Sequence, residues 1–378
     1  MGKASFVGEQ SFPVGMWVPP PASEISVERY KEIRDGGFTF VIGFREIEDG
    51  EETVIKALDC AQANGLKYLV SDPRVKNLAL SELSEMGPLV APYAGHPAYM
   101  GHLFFDEPGA EEFERLAALA DSYYAHVPDG LAYVNLLPTY AKPPMWGTDT
   151  YADYLEQFLS TFKPKVLSYD HYPLLMNKNK PDYFSNLWSI SEACRRHGVP
   201  FWLFIQTLSF NGKYREPNEA ELRWQVNLSL AFGAVGIQYF TYWSPEDWNN
   251  ETFGEALIRK DGSRTEQYER VKRINNELAV VGPVLQALQP EGMLVCGDKP
   301  EGVERVLPSF GPVIALEGDP VISGCFSADG RPDALFVVNR SHDDPAEAVI
   351  VFDQAPAVTI RLEPGEGKLV RLRGADGV

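Results

Sequence analysis

Short apolar runs alternate with amphipathic stretches over the first ~280 residues, the rhythm of repeated βα units. Pro13–Val18, Phe38–Gly43, Tyr68–Ser71 and Met100–Phe105 read as four strands. Leu131–Leu137, Val166–Tyr169, Phe201–Gln206 and Gly236–Trp243 read as four more. A helix with polar start Ser26 and Glu28 ends near Gly36 and Gly37, and another runs through Lys56 to Asn64. Further helices are predicted over Glu111–Tyr124, Tyr151–Phe162, Tyr183–His197 and Glu219–Phe232. Gly65, Gly198 and Gly233 follow three of these helices as C-caps. A long final helix covers Thr265–Leu288. Eight strands, each followed by a helical stretch, predict an α/β chain folded as a (β/α)8 TIM barrel.

From about Gly292 the helical period disappears. Met293–Cys296, Ala334–Val338, Ala348–Phe352 and Lys368–Leu372 read as strands, with turns at Asp329-Gly330 and Pro364-Gly365. This predicts a small C-terminal antiparallel β-sandwich domain. The expected division is a barrel over 1–288 and a sandwich over 289–378.

Composition narrows the function classes. Hydrophobic residues make up 44% of 378, enough for a large core. The net charge of −19 argues against nucleic acid or an anionic membrane as partner, since both require a basic surface. Cys60, Cys194, Cys296 and Cys325 form no Cys-x-x-Cys pair and have no accompanying His cluster. They read as buried thiols, not as a zinc site. Met1–Phe6 lacks the apolar core of a secretory leader and no run reaches membrane-spanning length, so a cytoplasmic location is expected. No metal and no cofactor are implied. Self-association stays open, because aromatics at strand ends would serve a homo-oligomer interface as readily as a ligand.

In a barrel of this kind the chemistry sits where strands end. Those ends carry Trp17, Arg45 with Glu46, Asp72 with Arg74, Asp106 with Glu107, Asn135, Asp170 with His171 and Tyr172, Gln206, and Tyr242 with Trp243. The set is polar, hydrogen-bonding and aromatic, which suits a neutral polyhydroxyl ligand with apolar ring faces. Cleavage of a glycosidic bond needs two carboxyl groups flanking it. Glu107 is the first candidate for general acid/base, with Asp170 or Asp72 as the second carboxylate. The strand pleat is expected to send Asp106 and Glu107 to different sides. Asp106 then supports a neighbouring loop or side chain. Asn135, His171, Arg74 and Gln206 are candidate hydroxyl binders, and Trp17, Tyr172, Tyr242 and Trp243 candidate stacking platforms.

Four segments resemble clan-A glycoside hydrolases, and within them relatives of the family-42 β-galactosidases. They are Phe105-Asp106-Glu107-Pro108 at strand four, Ser168–Pro173 at strand six, Trp202–Gln206 at strand seven and Gly236–Trp243 at strand eight. The resemblance implies a glycoside hydrolase acting on a carbohydrate, with the strand-four acid/base at Glu107 and Asp106 where Asn is usual. It also implies a Glu nucleophile ending strand seven, where this chain has Gln206. A neutral amide cannot attack as a carboxylate does. Four readings remain: a shifted strand-seven register, relocation of the second carboxylate to Asp170 or Asp72, a deliberate Glu-to-Gln replacement, or sugar binding without cleavage. Relocation is favoured. The rival functions are a non-catalytic carbohydrate-binding barrel and a lyase or isomerase using Asp/His acid-base chemistry.

Overall fold

The computed structural model describes residues 7, 11–248 and 250–372. The leader reading on Met1–Phe6 therefore lies outside the described residues. Eight parallel strands close into a barrel: β1 Val14–Met16, β2 Phe40–Ile42, β3 Lys67–Val70, β4 Tyr99–Asp106, β5 Leu131–Leu136, β6 Leu167–Asp170, β7 Phe201–Gln206 and β8 Ile237–Phe240. Neighbours follow chain order, with β8 paired to β1.

The outer ring is α1 Val27–Asp35, α2 Glu51–Ala63, α3 Met86–Ala94, α4 Phe113–His126, α5 Tyr151–Thr161, α6 Tyr183–His197, α7 Glu219–Ala231 and α8 Glu266–Gln286. Helix starts follow local chemistry. The Ser26 hydroxyl accepts from Arg29 N, and Asn218 and Glu221 form a reciprocal capping box. The sequence pattern missed α3, whose Pro92 disguises a helix that still buries Met86, Val90 and Tyr93 on one face.

Strand alternation separates two apolar clusters. Phe40, Ile42, Leu69, Trp202 and Phe204 fill the barrel bore. Val41, Tyr68, Val70, Leu203 and Ile205 face the helices. Gly15 on β1 leaves room for the Phe40 ring, which a Cβ there would overlap. On β4 the pairing with β5 slips between Leu103 and Phe105. That irregularity changes which residues face inward before the strand ends.

Beyond the barrel, β9 Gln289–Val295, β10 Val313–Gly318, β11 Val321–Ala328, β12 Arg331–Asn339, β13 Ala346–Phe352, β14 Val358–Leu362 and β15 Gly367–Arg371 form two antiparallel sheets. Their orders are β9-β11-β12-β15 and β10-β13-β14. Ala334, Phe336 and Val338 of β12 join the core shared with the barrel, whereas Leu335 and Val337 face the second sheet. The four-stranded sheet lies against α7, where Trp224 Nε1 donates to Arg340 O at 3.0 Å and Asn227 Nδ2 to Gly365 O at 2.9 Å. Helix α7 is thus covered on two sides, which explains its weak amphipathic pattern. Among the described residues no helix is long and apolar enough to cross a membrane.

Candidate active site

A cavity of about 290 Å³ opens at the carboxyl ends of the barrel strands. Asp106, Glu107 and Asp170 all line it. The expected split of Asp106 from Glu107 does not occur. The slip near Phe104 brings Asp106 into register with Asn135, so both side chains turn into the mouth. Glu107 then adopts φ 55°, a left-handed conformation that redirects its side chain to the same side. Such a conformation in a residue other than glycine costs about 1–3 kcal/mol and persists only where its surroundings enforce it. Here Glu107 N donates to Asn135 O at 2.8 Å and Pro108 stops the strand.

Asn135 connects the carboxyls. Its Nδ2 donates to Asp106 Oδ1 at 3.2 Å and to Asp170 Oδ1 at 3.1 Å. Ser168 Oγ donates to Asn135 Oδ1 at 2.9 Å, which fixes the amide's orientation. Gln238 Nε2 donates to Ser168 Oγ at 2.9 Å, and Tyr133 OH donates to Gln238 Oε1 at 2.5 Å. A buried polar chain therefore runs from β8 through β6 and β5 to the acids on β4 and β6. Fully partnered networks of this kind hold their members in one geometry.

The acids perturb one another. Burial, then the Asp106 charge, lifts Glu107 up to about 7, with Glu251 adding to the effect. Burial raises Asp170 well above the usual carboxylate range, reinforced by the Glu107 and Asp106 charges. Asp106 is raised by burial, against the pull of Asn135 and Lys76. Asp106 and Glu107 touch the solvent of the cleft although protein surrounds them, whereas Asp170 is only 4% exposed. Glu107 and Asp170 are within hydrogen-bonding reach of each other. Buried carboxyls this close resist ionising together, which is why each is held above its ordinary range.

Aromatic rings make the remaining walls. Trp17 and Tyr172 line the cavity as the sequence suggested, joined by Phe204, Phe210, Phe240 and Trp248. Tyr172 lies 4.9 Å from Phe240 and Trp17 lies 5.7 Å from it, centroid to centroid.

Six expected site residues are placed elsewhere. Asp72 caps the short helix Pro73–Lys76, and its carboxylate is held by Arg74 N, Nε and Nη2 at 2.9, 3.0 and 2.6 Å. Arg74 is committed to that pair and to Glu51. His171 is fully buried with Nε2 3.3 Å from Asp182 Oδ1, and burial pushes its imidazole pKa down. Gln206 is also fully buried. Its amide donates to Leu174 O and Arg215 O and accepts from Leu174 N, tying two loops to β7. Tyr242 packs edge-on to Phe38, away from the mouth. Trp243 lies under the Arg29 guanidinium and borders a different cleft. The sequence reading missed Glu251 and Phe253, which line the cavity from the loop after β8. Glu251 accepts from Asn211 Nδ2 at 3.0 Å. Its only sequence cue is an acid bracketed by Trp248 and Phe253.

The glycoside hydrolase 42 family model, described as beta-galactosidase, matches residues 162–281. No curated protein matches the chain in sequence. The β-galactosidase of Marinomonas ef1 superimposes with a TM-score of 0.56 at 13% identity, covering 75% of this chain and 63% of that one. The β-galactosidase of Rahnella sp. R3 gives 0.57 at 12% identity, covering 75% and 58%. The chain thus spans about three fifths of the length of these two. A family 39 glycoside hydrolase from Bacteroides cellulosilyticus WH2 gives 0.54 at 14% identity, covering 96% of this chain and 81% of that one. The expected resemblance to family-42 and other clan-A barrels is found, and at these identities the structural likeness is one of fold.

Proposed function

We propose that this protein is a glycoside hydrolase in which Glu107 is the general acid/base and Asp170 the second carboxylate. The observation that carries the reading is the meeting of these two carboxyls in one aromatic-walled cavity. Carboxyls that interact directly are closer than inverting enzymes hold theirs, about 6.5–9.5 Å, which favours a retaining mechanism. Asp72, the other candidate, is enclosed by Arg74 and drops out.

In this scheme substrate separates the pair, with Glu107 protonated and Asp170 ionised. Asp170 attacks the anomeric carbon as Glu107 protonates the departing oxygen, and the glycosidic bond breaks. Glu107 then takes a proton from water, whose oxygen attacks the same carbon and frees Asp170. Asn135 Nδ2 steadies the Asp170 anion, and a Glu107 pKa of about 7 suits a group that alternates between acid and base. Trp17 and Tyr172 supply faces for the sugar ring. The matched family's description makes β-galactosides the first substrates to try. We take 1–288 as the catalytic unit and 289–378 as an accessory domain.

One observation favours a second reading. With Gln206 ending β7, the position of the clan's nucleophile holds no acid, as in a barrel that binds sugar without cleaving it. A panel of α- and β-aryl glycosides separates the two, with the first-formed anomer followed by NMR. Hydrolysis with retained configuration is expected. Sugar binding without turnover would establish the binding protein instead.

A further inference from the structure

A second cleft, of about 280 Å³, adjoins the catalytic cavity. It lies between the loops that follow β1, β2 and β8. Trp248 lines both spaces. The partition is aromatic: Phe44 lies 5.2 Å from Trp17 and 5.5 Å from Trp248, centroid to centroid.

The backbone after β1 assigns consecutive residues to the two sides. Trp17 lines the catalytic cavity and Val18 lines the second cleft. Trp17 O accepts from Tyr242 N and Val18 O from Trp243 N, each at 2.9 Å, so the β1–β8 pairing continues past the barrel rim. Val18 has φ 55°, which a β-branched side chain rarely adopts. Strain of this kind clusters at ligand-binding sites.

The cleft walls are apolar and stiff. Pro19, Pro20 and Pro21 form one side, and Phe44, Trp243 and Trp248 present rings on the other. Charges of both signs stand around the rim. Arg45 is 3.7 Å from Glu48, and Lys260 Nζ is 2.6 Å from Glu246. Glu46 and Asp49 also line it, so carboxylates outnumber the two cations; an anion is disfavoured, and the hydroxyl groups of a neutral ligand meet acceptors beside the aromatic rings. The volume is near the lower limit of ligand pockets, about 300 Å³, and suits one sugar ring.

We propose that this cleft is a distal sugar subsite. It holds another unit of an oligosaccharide whose scissile bond lies between Glu107 and Asp170, and the chain crosses Trp248 between the two. The inference rests on the hydrolase reading and adds that the substrate is an oligosaccharide longer than its reacting unit. Binding energy from the distal ring then contributes to turnover at the reacting centre.

The test compares kcat/KM for an aryl monoglycoside, a disaccharide and a trisaccharide of one accepted sugar and linkage. Wild type, Ala22→Trp and Lys260→Ala are measured side by side. Ala22 is half-buried and lines this cleft but not the catalytic cavity. The indole fills the cleft, and Lys260→Ala removes a rim donor without adding bulk. Wild type should gain about tenfold in kcat/KM from the added ring. Ala22→Trp should lose that gain and keep the monoglycoside rate, and Lys260→Ala should lose part of it. A monoglycoside rate within about twofold of wild type certifies the fold of each variant. Hydrolysis without a chain-length gain, or a gain that survives both variants, overturns the subsite and leaves the hydrolase reading standing. Absence of hydrolysis from every substrate removes both.

Discussion

At the ends of β4, β5 and β6, the side chains of Asp106, Asn135 and Asp170 turn into the barrel mouth and hydrogen-bond one another. At the ends of β7 and β8 the polar groups are used otherwise. Gln206 spends its amide on loop backbone, and Tyr242 and Trp243 pack into the surrounding core. One half of the mouth therefore holds the strand-end acids, and the other offers Phe204, Phe240 and loop aromatics, with Glu251 on the loop after β8. Both halves are strand ends of the same barrel. What separates them is whether a polar side chain still has a free lone pair or proton once its neighbours are satisfied.

The largest expected effects come from the acidic half. Glu107→Gln should lower kcat by roughly 10²–10⁴-fold, the range for a lost acid/base group, and Asp170→Asn by at least as much, because it removes the nucleophile. Their dependence on the leaving group should differ. Glu107→Gln should recover most with acidic phenol leaving groups that need little protonation, while Asp170→Asn stays slow with all of them. Equal recovery in both variants would contradict the separate roles.

Gln206→Glu attacks the comparison from the other half. It places a carboxylate against Leu174 O and Arg215 O, which now accept from Nε2. The expected result is a loss of about 2–4 kcal/mol in urea unfolding, from buried acceptors facing a buried charge, with no gain in turnover. A stable variant that is faster than wild type would show that β7 retains a catalytic position.

Asp72→Asn should cost about 1–3 kcal/mol of stability, because the side chain is buried and receives several Arg74 bonds. The kcat of the folded variant should stay within about twofold of wild type. A selective fall in kcat with unchanged stability would return Asp72 to the reaction.

The smallest effect expected is in the pH profile. Glu107 must be protonated to act as an acid, so kcat/KM should fall as pH rises through about 7. The Glu251 charge helps hold that pKa up. Glu251→Gln should therefore move the basic limb to lower pH, with only a modest loss of kcat. A basic limb that does not move would remove Glu251 from the electrostatics of the site.

Much of this architecture is written in local pattern. Helix α6 and strand β7 have the predicted bounds, Tyr183–His197 and Phe201–Gln206, because period and flanking glycine or proline act within a few residues. The strand-end positions of Glu107 and Asp170 were legible for the same reason. Helix α3 and strands β10, β11 and β14 were not. Proline masks the first, and strands buried on both faces or lying at an edge lose the alternation that identifies them.

The sequence by itself determined the order of eight βα units, the change to β structure near the C-terminus, and the presence of acids at the ends of strands four and six. Only the tertiary structure decided which of those acids meet. A one-residue slip on β4 and a left-handed Glu107 put Asp106 beside it, where the pleat alone would have parted them. Arg74 took Asp72 out of the mouth, and loop backbone took Gln206. A loop folded back from β8 brought in Glu251. Partner choice depends on distances between segments far apart in the chain, and a local pattern of residues holds no record of those distances.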